Sequence, residues 1–417
     1  MSSARRRRRT GAVRYRSSVD GSARKNERLR ILLAADTFPP DVNGAANFCE
    51  RLAVGLVERG HDVHIVAPAT GLRKNGTFVE QHGTVTLTVH RLFSLRWPGH
   101  WLRFAWPWTA RRNTAKILDA FHPDVVHLQS HIVIGRGLAR TAIERGIPVI
   151  ATNHFMPENV LDQAPLPQWI IPLAIRIAWR DAAKTYRLVD RITAPTRRAA
   201  EYLEAAVDVH DVLAVSCGIQ AGLYTSRDLR PADNHIVFVG RIAAEKQIEV
   251  LLRAMTLLDP ALRTTLTVVG GGDHMPVIEK LVSELGLGDR VTLTGFSSDE
   301  VLRAALTNGT VFAMPSTAEL QSIASLEAMA SGLPIVAANS MALPHLVDGN
   351  GYLFEPGDER DLAEKLTAVL TADDDEYLRM KHRSLEMIAP HDIDRTLSTF
   401  EALYRGEPVA AGPEAGR

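Results

Sequence analysis

The sequence has little cysteine and no long apolar run. Cys49 and Cys217 are the only cysteines among 417 residues, and their separation favours neither a disulfide framework nor a metal cluster. No stretch approaches the roughly 18 uninterrupted apolar residues of a membrane-spanning helix. The N-terminus also lacks the apolar segment of a secretory signal. We therefore expect a cytoplasmic protein.

The sequence also has no net charge, since 48 basic residues balance 48 acidic ones. The charges are nevertheless unevenly distributed along the chain. Arg5 to Arg30 carries eleven basic and two acidic residues, so this segment is strongly cationic. Few apolar residues occur there, which predicts a disordered tail over residues 1–28. Its run Arg5–Arg9 could contact anionic lipid, bind nucleic acid, or only improve solubility. Of these, nucleic acid is the partner that we least expect.

From Leu29 onward, short apolar strands alternate with segments of helical length. This βαβ pattern predicts parallel, doubly wound sheets of the α/β class. A polar stretch before Asn234 interrupts the pattern, and a second series of strands follows. We predict two facing Rossmann-like domains, with these limits: domain one 29–222, linker 223–234, domain two 235–388, a helix 389–406 that returns to domain one, and a disordered tail 407–417.

Two turns at predicted strand ends in domain one are candidate ligand sites, because ligands of such sheets bind beyond the carboxyl ends of the strands. Asn43 and Gly44 precede a helix, where backbone can approach a phosphate or a sugar. A plain glycine-bearing connection is the alternative. His154 follows the strand at 148–152 and can point into the cleft, although a structural histidine would fit the same position.

Domain two offers cations and glycines at similar positions. Arg241 ends the first strand of this domain and Lys246 opens the following helix, a pair suited to a diphosphate unless they are ordinary surface residues. Gly271 and Gly295 end strands, and the loop around Thr294 to Phe296 could hold a nucleotide base through its backbone. Glycine turns are common in α/β proteins, so they carry little weight alone.

The segment 317–334 places Glu319 and Glu327 on one strand-turn-helix unit. The helix is predicted to begin near Ile323, with Glu319 on the preceding turn, so the carboxylates are too far apart to share a proton. They are suited to grip different parts of one elongated ligand. The alternatives are a helix-capping Glu319 and a solvated Glu327. Free backbone N–H groups at Gln321, Ser322 and Ile323 favour a bound phosphate.

Together, these motifs resemble the retaining nucleotide-sugar glycosyltransferases of family 4, which have the GT-B fold. They are FPPDVNG ending at Gly44, GRIAAEK at 240–246, and the two glutamates eight residues apart. The resemblance extends from Arg30 to about Arg405. It implies a hexose donor linked to UDP or GDP, such as UDP-glucose or GDP-mannose, and an α-glycosidic product formed by front-face attack.

The resemblance also implies roles for the site residues. Arg241 and Lys246 would neutralise the donor diphosphate, which Gly44 approaches from the other domain. Glu319 and His154 would hold the transferred sugar, and Glu327 would bind the ribose hydroxyls. No cofactor or metal ion is implied. Gln321 and Ser322 replace the smaller residues of many relatives, which leaves the identity of the donor sugar open.

The motifs HFMPEN and ELQSIASLEAM resemble most the lipid-directed branch of the family, which implies a glycerolipid acceptor. Arginines also alternate with Trp97, Trp101, Trp106 and Trp108, and a basic helix is predicted over 169–187. Both compositions suit an anionic membrane surface, so we expect peripheral contact with its inner face. The alternative is that these apolar side chains pack in a core with their arginines reaching out to water.

Three other functions stay open. They are transfer to a soluble acceptor such as an inositol phosphate or a glycan, epimerisation of a nucleotide sugar by the same architecture, and a noncatalytic module that binds nucleic acid through its tail.

Overall fold

The computed structural model describes residues 27–41, 43–71, 74–96, 103–158 and 167–409. Two largely parallel sheets, one in each half of the chain, form its framework. Trp97, Trp101 and nearly all of the two predicted disordered tails lie outside the described residues. The domain limits given above stay predictions.

The first sheet has eight strands in the order β10-β9-β8-β7-β1-β2-β4-β3. All its neighbours pair in parallel except β3 and β4, which pair antiparallel at the edge. Central strands such as β1 are buried along nearly their whole length, as expected for a sheet covered by helices on both faces. The strands are β1 Arg30–Ala34, β2 Asp62–Pro68, β3 Gly76–His82, β4 Val85–Leu92, β7 Val125–Leu128, β8 Val149–Thr152, β9 Arg191–Ala194 and β10 Leu213–Ala214.

Within the described residues, a two-stranded ribbon and five long helices complete this half. The ribbon pairs β5 Ser94–Arg96 with β6 Arg103–Ala105. The helices are α1 Gly44–Glu58, α2 Pro107–Phe121, α3 Ile134–Ile143, α4 Ile171–Tyr186 and α5 Arg197–Val207.

The second sheet has six parallel strands in the order β13-β12-β11-β14-β15-β16. Its strands are β11 His235–Val239, β12 Thr265–Val269, β13 Val291–Leu293, β14 Val311–Met314, β15 Ile335–Ala338 and β16 Gly351–Phe354. Its helices are α6 Ile248–Leu257, α7 Met275–Glu284, α8 Asp299–Asn308, α9 Ile323–Ala330, α10 Glu359–Leu370 and α11 Asp374–Ile388. Short 3₁₀ turns occur at Ala221–Leu223, Ala244–Lys246, Pro260–Leu262, Leu343–Leu346 and Ala389–His391.

The last helix, α12 Ile393–Tyr404, crosses back to the first domain. Its residues Leu397, Phe400 and Leu403 belong to the core around β1 and α1. At the start of the crossing, the backbone N–H of Ile219 donates to His391 O, and that of Ile393 donates to Ile219 O. The predicted fold, two Rossmann-like domains with a returning C-terminal helix, is therefore confirmed.

Two features bear on earlier expectations. The antiparallel edge formed by β3 and β4 breaks the regular alternation of strand and helix that the sequence analysis assumed. Lys246 does not open a long helix but closes the 3₁₀ turn before α6. Within the described segments, no helix combines the length and apolarity needed to cross a membrane.

Candidate functional site

A cleft of about 680 Å³ lies between the two sheets. Its walls come from turns beyond the carboxyl ends of strands in both domains, where bound ligands are expected in doubly wound folds. The lining includes eleven residues that the sequence analysis selected: Asn43, Gly44, His154, Arg241, Lys246, Gly271, Glu319, Gln321, Ser322, Ile323 and Glu327. Residues that are up to hundreds of positions apart in the sequence therefore lie around one cleft.

The turn before α9 is braced by backbone contacts with the neighbouring loops. The N–H of Thr317 and the hydroxyl of Ser316 donate to Glu245 O at 3.0 and 3.2 Å. On the other side, the hydroxyl of Ser340 donates to Thr317 O at 2.9 Å. These bonds fix the backbone that carries Glu319, so its carboxylate is held in a defined position.

The cleft pairs cations with carboxylates. Lys246 Nζ donates to Glu319 Oε1 in a short ion pair, and Arg241 Nη2 donates to Glu245 Oε1. Glu319 is only 9% exposed and makes no cap to α9, so the capping alternative is wrong. A bound anion could compete with Glu319 for Lys246 and release its carboxylate to accept hydrogen bonds from a sugar.

The starts of two helices, α1 and α9, approach each other at the cleft. A Cβ built on Gly44, at the start of α1, would lie 3.8 Å from Ile323 Cδ1 at the start of α9. Asn43 caps α1 by accepting from Ala46 N at 2.9 Å. Its Nδ2 is buried without a partner in the described structure, which leaves both N–H donors of the amide group free. Facing N-termini of this kind favour a bound anion, because the free N–H groups and the dipoles act together.

His154 is half-buried and neutral. Burial lowers its pKa to about 4. Its Nε2 lies 3.0 Å from Gln129 Oε1, and since an amide oxygen only accepts, Nε2 carries the proton. Its ring lies against Phe48 at a centroid distance of 4.8 Å. His154 is therefore a packed histidine that also lines the cleft, so both of the alternatives given for it apply. Near pH 7 it is uncharged and acts as a hydrogen-bonding group.

Glu327 also lies in the cleft wall and is not a solvated surface acid. Burial raises its pKa, while the positive charge of Arg51 and a hydrogen bond from Tyr224 act in the opposite direction. Arg51 belongs to the other domain, on α1. The alternative of an exposed Glu327 is therefore wrong.

The side chains of Gln321 and Ser322 form hydrogen bonds to other groups of the protein. Gln321 Oε1 accepts from Cys217 N, and its Nε2 donates to Ser216 Oγ, both at 2.8 Å. Ser322 Oγ lies 2.8 Å from Ser325 Oγ, and its φ of 68° turns the chain into α9. Their side chains thus brace the site, and the expectation that they alter the sugar pocket directly loses its geometric basis.

Gly270 and Gly271 lie at a strand end of the second sheet, where close packing leaves no room for a side chain. A Cβ on Gly270, whose φ is 134°, would lie 2.0 Å from Gly240 O, and one on Gly271 would lie 2.6 Å from the Phe296 ring. Thr294 and Gly295 are not among the residues that line the cleft, whereas the next two residues, Phe296 and Ser297, are. The predicted loop is therefore at the site, but of its three residues Phe296 lines the cleft, rather than Thr294 and Gly295.

The described tryptophans lie at the start of α2 rather than in the cleft wall. Trp108 is 79% exposed and Trp106 is 38% exposed, with ring centroids 5.0 Å apart. Arg103 and Phe104, just before them, do line the cleft. Trp169 is 80% exposed, but Trp179 is buried. The core-packing alternative thus holds for Trp179 and is wrong for Trp108 and Trp169.

Sequence reasoning missed several lining residues: Arg51, Arg103, Phe104, Gln129 and Tyr224. Arg51 could have been found, since it lies seven residues beyond Gly44 on one helix, and positions seven apart share a face. Gln129 follows a strand end in the same way as His154. Tyr224 lies in the predicted linker, where no local pattern marked it.

Comparisons with known proteins agree with this architecture. Residues 42–222 match the model of Glycosyltransferase Family 4, and residues 233–372 match that of Glycosyl transferases group 1. The sucrose-phosphate synthase structure from Thermosynechococcus elongatus superposes with a TM-score of 0.74 at 20% identity, covering 91% of this chain and 99% of that one. This likeness shows the fold.

Two curated relatives are similar in sequence. A GDP-mannose-dependent alpha-mannosyltransferase of Mycobacterium tuberculosis is 27% identical over 90% of this chain and 97% of its own. The sulfoquinovosyl transferase SQD2 of Arabidopsis thaliana is 27% identical over 60% of this chain, but the match spans only 50% of the plant protein. Because both halves match glycosyltransferase models and the fold agrees, this chain belongs to the family 4 glycosyltransferases with the GT-B fold.

Proposed function

We propose that this protein transfers a hexosyl group from a UDP- or GDP-linked sugar to a membrane glycerolipid, with retention, and forms an α-glycosidic bond. The observation that carries the proposal is the cleft itself, where two helix N-termini face each other beside Arg241 and Lys246. The cations, the facing N-termini and the two separate carboxylates match the diphosphate, the sugar and the ribose of one nucleotide sugar.

Each part of the donor has a suitable partner. The diphosphate fits Arg241, Lys246 and the N–H groups at the two helix starts. Sugar hydroxyls fit Glu319, His154 and the free Nδ2 of Asn43, and the ribose fits Glu327. The exposed ring of Phe296, 74% exposed, offers a face on which a base can stack. The Mycobacterium tuberculosis relative uses GDP-mannose, which supports a GDP-linked hexose among the candidates.

The reaction needs charge stabilisation more than a protein base. As the bond from the anomeric carbon to the phosphate oxygen breaks, negative charge grows on the nucleoside diphosphate, where Arg241 and Lys246 stabilise it. The acceptor hydroxyl attacks from the same face, and its proton passes to the departing phosphate. This arrangement keeps the α configuration. Since two side-chain cations already serve the phosphates, we propose that no metal ion is required.

The acceptor side of the cleft leads toward exposed apolar surface. Phe104 lines the cleft two residues before Trp106, which starts the exposed tryptophan pair. Met156 also lines it, and Glu158, two residues later, accepts from Trp179 of α4 at 2.9 Å. Exposed apolar side chains occur along α4, at Leu173 and Ile177, and at Trp169 in the turn just before it. A lipid headgroup in the cleft and its acyl chains in the bilayer fit this layout, which supports the lipid acceptor over a soluble one.

Product analysis tests the proposal. The protein is incubated with UDP- and GDP-linked hexoses alone, with diacylglycerol vesicles, and with soluble inositol phosphate, each with and without EDTA. We expect an EDTA-insensitive α-glycolipid from one donor. Conversion of the nucleotide sugar without acceptor would indicate an epimerase, and product only with inositol phosphate would indicate the soluble alternative. Loss of product with EDTA, restored by a divalent cation, would refute the metal-independent step.

A further inference from the structure

Arg51 lies on α1 and Glu327 lies on α9, the two helices whose starts approach each other at the cleft. Arg51 lies seven residues beyond Gly44 on α1, and Glu327 lies four residues beyond Ile323 on α9. Both spacings return a side chain to the same helix face. The starts of the two helices approach each other, since a Cβ on Gly44 would lie 3.8 Å from Ile323 Cδ1, and both Arg51 and Glu327 line the cleft between the domains.

The guanidinium of Arg51 is poorly satisfied where it stands. Its Nε and Nη2 are buried and find no hydrogen-bond partner within the described residues. Its charge acts on three groups around it, namely Glu327, Tyr224 and Cys217. A buried cation without hydrogen bonds is costly unless an opposite charge compensates it. Glu327 is the only carboxylate among these three neighbours.

Glu327 in turn needs help to stay ionised. A carboxylate that accepts two hydroxyl hydrogen bonds must carry no proton. Burial raises the pKa of Glu327, and so does Asp299 of α8. Three groups lower it: Arg51 of α1, the hydroxyl of Tyr224 and Arg303 of α8. Arg51 is the largest of the influences that lower it, and it comes from the opposite domain.

We propose that Arg51 is a positioning residue that holds Glu327 ionised across the cleft, so that the ribose grip of the second domain depends on a cation of the first. This inference rests on the proposed function, because it assumes that Glu327 accepts hydroxyls of a nucleotide. It predicts that donor binding loses strength in acid once the arginine is removed. Folding of the second domain alone would then be insufficient for tight nucleotide binding.

Calorimetric titration of the full chain with UDP and with GDP, between pH 5.5 and 8.5, tests the inference. Arg51→Met removes the charge and keeps most of the length, and Arg51→Lys restores a charge. For the nucleotide that wild type binds, we expect Arg51→Met to weaken affinity about tenfold at pH 6.5 and to recover to within about threefold at pH 8.5. The sign follows because a higher pKa of Glu327 moves the loss of its charge to higher pH.

Controls separate this role from a structural one. Arg51→Lys should follow the wild-type pH profile, and Arg253→Met, an exposed arginine on α6, should have no effect. Glu327→Gln should bind weakly at every pH, and adding Arg51→Met to it should change nothing further. A uniform loss in Arg51→Met at all pH values, or no loss, overturns the inference. Failure of wild type to bind either nucleotide would instead refute the proposed function.

Discussion

At the scale of single residues, Glu319 and Glu327 differ in their electrostatic partners although they lie on one short segment. Glu319 is paired with Lys246, a cation suited to a phosphate. Glu327 is buried beside the Tyr224 hydroxyl and the charge of Arg51. In the proposed function, the first carboxylate is therefore coupled to the leaving group, whereas the second is coupled to the part of the donor that does not react. Removing each should affect a different kinetic step.

We predict different kinetic effects for Glu319→Gln and Glu327→Gln. Glu319→Gln should lower kcat about 100-fold with little change in nucleotide affinity, because its contacts strengthen as the sugar departs. Glu327→Gln should weaken nucleotide binding about tenfold and change kcat by less than about threefold. Steady-state kinetics with calorimetry measures both, and Glu279→Gln, on an exposed face of α7, serves as a control. Two variants as active as wild type would reject this site.

The residues that sequence reasoning selected share one property, which is a motif with local spacing. The pair Glu319 and Glu327, and the pair Arg241 and Lys246, are recognisable because each lies within one strand-turn-helix unit. Arg51 and Tyr224 carry no such motif, since their relation to Glu327 exists only after two domains have come together. Contacts across the cleft depend on tertiary structure, and a single sequence does not encode them as a pattern.

At the scale of elements, the central sheets were predictable and their edges were not. Buried parallel strands such as β1 and β14 give continuous apolar runs of four or five residues, which the eye finds easily. The edge strand β3 is exposed along most of its length and pairs antiparallel with β4 through a turn at Gly83, where φ is 55°. Without a buried face, its sequence lacks the hydrophobic signal that marks a strand.

The facing starts of α1 and α9 lead to a prediction for Gly44. A Cβ there meets only Ile323 Cδ1, at an ordinary contact distance of 3.8 Å, and Gly44 has no positive φ. Gly44→Ala should therefore fold with an unchanged Tm. Its methyl group would occupy space that a diphosphate needs near the N–H groups, so affinity for the nucleotide sugar should fall about tenfold or more.

Thermal unfolding and calorimetry of Gly44→Ala provide the measurement. Gly288→Ala is a matched control, because a Cβ at Gly288 meets nothing within 4 Å and the residue lies outside the cleft. Wild-type affinity in Gly44→Ala would show that the donor does not approach the start of α1.

At the scale of the whole molecule, the crossing helix α12 ties the two domains into one unit around the cleft. Glu401 of α12 accepts from Arg59 at 2.7 Å and contacts His61 at 2.8 Å, both in the first domain. A Cβ on Gly55 would lie 2.6 Å from Leu397, so α1 and α12 pack closely. The helix whose N-terminus carries Gly44 is thus held by the C-terminal end of the chain. The position of α1 therefore depends on its packing against α12.

The molecule also has one outer face whose composition suits a membrane. We name it the α4 strip: exposed Leu173 and Ile177 of α4 with exposed Trp169 in the turn just before the helix, beside exposed Arg176, Arg180 and Lys184 of α4. The three apolar side chains are 80%, 54% and 56% exposed, which is unusual for residues of this size. An apolar row flanked by a basic row matches the boundary between acyl chains and anionic headgroups.

Flotation with vesicles tests whether the α4 strip binds lipid. Each basic residue near an anionic surface contributes about 1 kcal/mol, so changing Arg176, Arg180 and Lys184 to Gln should reduce binding to anionic vesicles by up to about 100-fold. Trp169→Ser with Ile177→Ser should reduce binding even at high salt, because apolar burial is not screened. Changing Arg253, Lys280 and Arg379 to Gln alters net charge equally on the second domain and should leave flotation intact. Wild-type protein that stays with the soluble fraction, or strip variants that float as wild type does, would remove the physical support for a lipid acceptor.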